Sequence, residues 1–145
     1  MPSNYFKTYG VETLAAATVA ISEGPHLGVR RVLNRAAGVA ATLPAATGSG
    51  NRYEFIVRAS VTSNQYRIDA AGTDKIGGLA HVLGSAAALF AADAAANNRI
   101  DMNGTTTGGL IGTRVVVDDV APGLWSAVVE AAGSGTAATP FATRA

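Results

Sequence analysis

Two short stretches of alternation constrain this chain more than any other feature. In residues 52–59, Tyr53, Phe55 and Val57 occupy every second position, with Arg52, Glu54 and Arg58 between them. In 65–70, Tyr66 and Ile68 alternate with Gln65, Arg67 and Asp69. Successive side chains of a strand point to opposite faces, so this spacing collects rings and branched carbons on one side and charges on the other. Both stretches read as half-buried strands. The polar link 60–64 suits a hairpin loop, so the two are expected to pair with each other.

The same grammar recurs. The valine-rich 113–120 is followed by Ala121-Pro122-Gly123, with proline and glycine suited to the two central positions of a type II turn. In 124–131, Trp125, Ala127 and Val129 alternate with Ser126 and Glu130, which predicts a second hairpin. Residues 29–35, 39–43 (stopped by Pro44), 75–83 and 99–103 read as further strands. The alanine run 85–96 carries helix propensity in β surroundings, and both readings stay open.

Residues 1–25 form a distinct N-terminal arm that ends in the turn residues Ser22-Glu23-Gly24-Pro25. Tyr5, Phe6 and Tyr9 cluster there around Lys7, and exposed rings need cover. The arm therefore docks on its own domain or on a partner, or is a first strand of the core. A β-domain over 26–132 and a Gly/Ser/Thr/Ala-rich tail over 133–145, with Phe141 as its one large apolar residue, complete the chain. The expected fold is mainly β: a small antiparallel β-sandwich or barrel, β-tulip-like, with an N-terminal arm and an extended C-terminal tail.

A chain of 145 residues can fold as one domain without staples, and the lack of cysteine removes disulfides and thiolate metal sites. Net charge is +1 and only 14% of residues are charged, where about 25% is usual. Alanine supplies 30 residues. Small apolar residues with few charges leave a neutral surface available for protein contacts, which favours an oligomer or a component of an assembly. Residues 11–21 carry Glu12 and fall short of the ~20 residues of a membrane span, and 79–96 is interrupted by His81 and Asp93. The chain reads as soluble and made in the cytosol of its producer.

No reaction centre emerges. His26 and His81 lack metal-pair spacing. Asp118 and Asp119 are neighbours on a strand, so they point to opposite faces and read as a charged strand end. Glu54 and Asp69, near Arg52, Arg58 and Arg67, read as surface ion pairs across the expected hairpin. Gly48-Ser49-Gly50 and the run from Gly104 to Gly109 lack the Gly-Lys-Ser/Thr ending of a phosphate loop. The arginines and rings of 52–58 and 65–68 face opposite ways, whereas a nucleic-acid stacking platform exposes its rings. No catalytic residue, metal or cofactor is assigned, and neither nucleic acid nor membrane is an expected partner.

The run Arg31-Val32-Leu33-Asn34-Arg35-Ala36-Ala37-Gly38-Val39-Ala40-Ala41-Thr42-Leu43-Pro44, then Gly50-Asn51-Arg52-Tyr53-Glu54-Phe55-Ile56-Val57 and Asn64-Gln65-Tyr66-Arg67-Ile68, resembles the head decoration (cement) proteins of tailed bacteriophages. Asp74-Lys75-Ile76-Gly77-Gly78 and Gly123-Leu124-Trp125-Ser126-Ala127-Val128 extend the likeness over roughly residues 28–141. The resemblance implies a homotrimer on the outer surface of a capsid that clamps the major capsid protein and stabilises the shell. It implies a capsid-binding arm with Tyr5, Phe6, Lys7 and Tyr9, and trimer or core contacts at Leu43, Trp125 and Phe141. The alternative is a receptor- or glycan-binding module of a phage tail or fibre. That role needs an exposed aromatic platform beside Asp or Asn, and Trp125 alternates as a core residue. A glycan-cleaving enzyme would need two converging carboxylates.

Overall fold

The computed structural model describes residues 10–23 and 29–145. Among these residues every regular element is a strand. The first six strands make three successive arches. β1 (Gly10–Leu14), β3 (Val29–Leu33) and β5 (Arg52–Val57) stack in parallel within one sheet. β2 (Thr18–Ala20), β4 (Val39–Thr42) and β6 (Tyr66–Asp69) stack in parallel within the other. Each arch thus leaves one sheet and enters the facing one. β7 (Lys75–Leu83), β8 (Ala87–Ala91), β10 (Arg114–Ala121) and β11 (Leu124–Ala132) complete the first sheet, in the order β1-β3-β5-β10-β11-β7-β8. β9 (Arg99–Met102) and β12 (Phe141–Ala142) complete the second, in the order β12-β9-β6-β4-β2. The result is mainly β and a sandwich, as expected, but its sheets are mixed and not the antiparallel ones expected, because the successive arches stack in parallel.

The core follows from strand parity. Leu33, Phe55, Val115, Val117, Val129 and Ala80 face inward from the seven-stranded sheet. Val39, Ala41, Tyr66, Ile68, Ile100 and Met102 meet them from the five-stranded one. Trp125, Leu43 and Phe141 are also interior side chains. The sequence-expected arm supplies Leu14 and Ile21 to this core, and the tail returns through β12, whose Phe141 is opposed to Ile100.

One further expectation needs correction, and one open reading is decided. The strands of 52–57 and 66–69 do not form a hairpin: β5 and β6 lie in opposite sheets. Alternation reports which side of a strand is buried, and Phe55 and Tyr66 are both buried because they approach one core from its two sides. The link between them turns through positive φ at Asn64 and Gln65, which carries the chain across the sandwich. Glu54 and Asp69 are accordingly not neighbours. In 85–96 the strand prevails over helix propensity, because β8 pairs along β7 and sets Phe90 against the core. The hairpin of β10 and β11 is present, with Gly123 at φ 77° in its turn.

Arch stacking depends on two residues at the β3–β4 and β5–β6 crossings. Gly38 has φ 86°, and a Cβ there would sit 2.4 Å from the carbonyl oxygen of Gln65 in the next arch. The Tyr66 hydroxyl is buried, donates to the carbonyl of Ala59 at 2.7 Å and accepts from the amide of Arg35 at 3.1 Å. It thereby ties the chain beyond β3 to the chain beyond β5. Tyr66→Phe should lower unfolding free energy by about 1–3 kcal/mol, because it strands two backbone groups, and urea denaturation reads the change. Gly38→Ala should cost at least as much, through left-handed strain of about 1–3 kcal/mol plus the backbone clash.

Candidate functional site

The most densely bonded polar group is Asp119. Its side chain shares the inward face of β10 with Val115 and Val117, and the residue is 1% exposed. Loop 45–50 arrives over it from β4. The amides of Thr47, Gly48 and Ser49 donate to its carboxylate at 2.7–3.2 Å, as does the Ser49 hydroxyl at 2.7 Å. Burial by itself pushes this carboxyl up, but the amides of Thr47, Gly48 and Ser49 with the Ser49 hydroxyl outweigh burial and hold it at about 2. The Gly48-Ser49-Gly50 loop thus wraps a carboxylate of its own chain. Asp118, one residue earlier, points outward and pairs with Arg52 at 2.7 Å.

Other carboxylates are also committed. Glu54 on the outer face lies between Arg30 at 3.3 Å and Arg114 at 3.0 Å. On the outer face of the five-stranded sheet, Asp69 is opposed to Arg99 and Arg67 to Asp101, which makes a neutral square of alternating charge. Burial pushes the Asp101 carboxyl up, and Arg67 and Arg99 act against that. Among the described residues no group of three or more His, Asp or Glu side chains comes together to hold a metal ion. Among them no helix is long and apolar enough to cross a membrane.

Among the described residues one cation is interior. Arg31 is 5% exposed, reaches Glu12 at 3.1 Å and lies 5.0 Å over the Tyr53 ring. Tyr53 in turn tilts against Trp125 at 5.7 Å. This stack fixes the end of the sandwich near loop 45–50. Every Phe, Tyr and Trp ring among the described residues is buried except that of Phe90, which packs partly against the core.

The outer face of the seven-stranded sheet is different. Strand register places Ala91, Leu79, Val128 and Val116 in one row across β8, β7, β11 and β10. Leu79 is 65% exposed and Val128 51%. Leu89 lies in the adjacent row, which also holds His81 and Glu130, and Leu83 lies in the row beyond; both leucines are exposed. The row ends at the Glu54 carboxylate on β5, so an apolar band meets a charged margin on one sheet face. Residues 75–83 and 124–131 read as strands, but that reading alone does not single out this band. Its signal was present in the parity of Leu79 and Leu83 against Ala80 and Val82.

Of the residues expected to bind a capsid, Tyr5, Phe6, Lys7 and Tyr9 lie outside the described residues, as does His26. Leu43, Trp125 and Phe141 lie in the interior. His81 faces outward within the apolar band, 3.6 Å from Glu130.

The Asp119 lock carries an acid signature. A carboxyl depressed in the folded state stabilises fully above its unfolded pKa near 4, and that contribution is lost as pH falls toward about 2. Thermal stability should therefore drop between pH 4 and pH 2. Asp119→Asn should remove about 2 kcal/mol or more at neutral pH and flatten that acid limb. Melting temperature against pH for both proteins checks it.

No protein-family model, curated protein or solved structure matches the chain, so the reading of this surface rests on the chain's own chemistry.

Proposed function

We propose that the chain is a decoration protein of a tailed-phage head, a homotrimer that binds the outer surface of the capsid and stabilises the shell against dissociation. Three things support the reading. The motifs of residues 31–68 and 123–128 resemble that family. The fold is a β-sandwich tied at its crossings. The observation that carries the reading is the apolar band of Leu79, Val128 and Val116, an outward face suited to covering another protein. A protein that binds the assembled shell and not its free subunits adds its binding free energy to shell stability. Three linked copies engage as one unit, so each contact can be modest. Low net charge suits close packing of many copies, which strong like charge would oppose. The receptor-binding alternative has less support, because no ring among the described residues offers an exposed stacking platform.

Purified protein should sediment with capsids of its phage, raise the temperature at which the shells open, and be present in many copies per particle. Leu79→Lys should weaken sedimentation with shells without unfolding the chain, because the Leu79 side chain is largely exposed. Removing residues 1–9 should weaken it too while leaving the assembly state unchanged. Particles that carry only a handful of copies, or protein that ignores shells, would sink the reading.

A further inference from the structure

β8 closes one margin of the seven-stranded sheet. Its register against β7 opposes Ala80 to Phe90 and Val82 to Ala88, and the Ala92 amide donates to the Gly78 carbonyl at 2.9 Å. The even-numbered residues therefore exchange bonds with β7. In an antiparallel ladder the alternate residues turn both backbone groups to the other side. Ala87, Leu89 and Ala91 thus direct their N–H and C=O groups away from the sheet. Among the described residues no strand pairs with that side. Open margins of this kind are usually blunted by lysine, proline, a bulge or a cover. From Ala86 to Ala92 this one contains only alanine, leucine and phenylalanine, and the nearest charge is Asp93.

We propose that β8 is a self-pairing edge: it joins antiparallel to β8 of a second copy about a twofold axis at Leu89, merging two seven-stranded sheets into one. This strand is complementary to itself in that register. Leu89 meets Leu89 of the second copy, and both turn their backbone groups toward the axis. Ala87 meets Ala91, which again opposes two residues with free backbone groups. On the inner side Phe90 meets Ala88, a large ring against a methyl, and the symmetry supplies that fit twice. Beyond the strand, Asp93 meets the hydroxyl residue Ser85 and not another carboxylate, so no like charges are opposed. Leu89, at 79% exposed, is covered where the two strands meet. A twofold contact uses one patch on both partners, as this pattern requires. The pairing joins each copy to one other through β8, so a monomer becomes a dimer, and a trimer becomes a closed hexamer where the twofold axes meet its threefold axis at right angles. It does not rest on the capsid reading.

The test uses the full chain without shells. Light scattering should give wild-type protein twice the mass of Leu89→Lys, which sets like charges opposite each other. Leu89→Glu should show the same halving, and mixing the two variants should restore the doubled mass. The chain has no cysteine, so Leu89→Cys alone should give a reducible covalent dimer under mild oxidation. Opposed Cα atoms in such a pair stand about 5.5 Å apart, within disulfide reach. Leu89 is exposed and its amide is not used by β7, so all three variants should keep the wild-type circular dichroism. An unchanged mass in Leu89→Lys overturns the proposal. So does a mixture of Lys and Glu variants that stays at the halved mass. Cross-linking through Ala91→Cys but not Leu89→Cys overturns the register. Strand pairing with an added foreign apolar peptide, without self-pairing, makes another protein the occupant and overturns it as well.

Discussion

The structure depends on parallel backbone pairing between successive arches. A hairpin could have kept β5 and β6 in one sheet, but here every early turn crosses the sandwich. β1, β3 and β5 then have to align on one side while β2, β4 and β6 align on the other. Parallel ladders need the crossings to superimpose, and the crossing chain must come close to its neighbour. Gly38 lets the backbone of Asn64 and Gln65 approach, and the Tyr66 hydroxyl satisfies the groups that the crossing leaves behind. The later strands β10, β11 and β7 pair onto the β5 side of this stack. If the arches slipped by one residue, Phe55 and Val57 would turn outward, because side-chain direction has period two.

Much of this was legible from the residues, within a definite limit. Alternation placed Tyr53, Phe55, Tyr66, Ile68 and Trp125 correctly on the buried side. It could not say which sheet each strand joins, since both sheets bury residues into the same core. The choice was made by the link, where two consecutive left-handed residues without glycine, Asn64 and Gln65, turn the chain away from a hairpin. Asp119 shows the same limit on the polar side. Its parity with Val115 and Val117 put a carboxylate in the interior, which is costly unless donors surround it. A loop of small residues rich in free amides lies at 45–50, but only the fold shows that it closes over β10. Residues 85–96 were ambiguous because alanine specifies little by itself; Leu89 outward and Phe90 inward settle the strand.

Composition and surface have one cause. With 30 alanines and few charges, the strands can pack closely but cannot coat both outer faces with polar groups. Charge is spent where it is bonded: the square of Arg67, Asp101, Asp69 and Arg99 on one sheet, and Glu54 between Arg30 and Arg114 on the other. What remains outward on β7, β8 and β11, apart from Lys75, His81, Ser126 and Glu130, is apolar. Such a face loses less on covering than a hydrated one, because few polar groups must give up water.

The four margins of the two sheets sharpen the argument for β8. β12 is two residues long and follows Pro140, which has no amide hydrogen to offer. β2 has three residues, too few for a sustained ladder. β1 carries Glu12, whose parity matches Leu14 and whose carboxylate is drawn to Arg31, so a docking strand would meet a charge on the inner side. These are the devices by which sheets discourage pairing: short strands, proline and inward charge. β8 has five residues and none of those devices. A fold that blunts three margins and leaves the fourth long, neutral and self-complementary concentrates the drive for sheet extension at one place, and symmetry then makes a second β8 the strand that fits it.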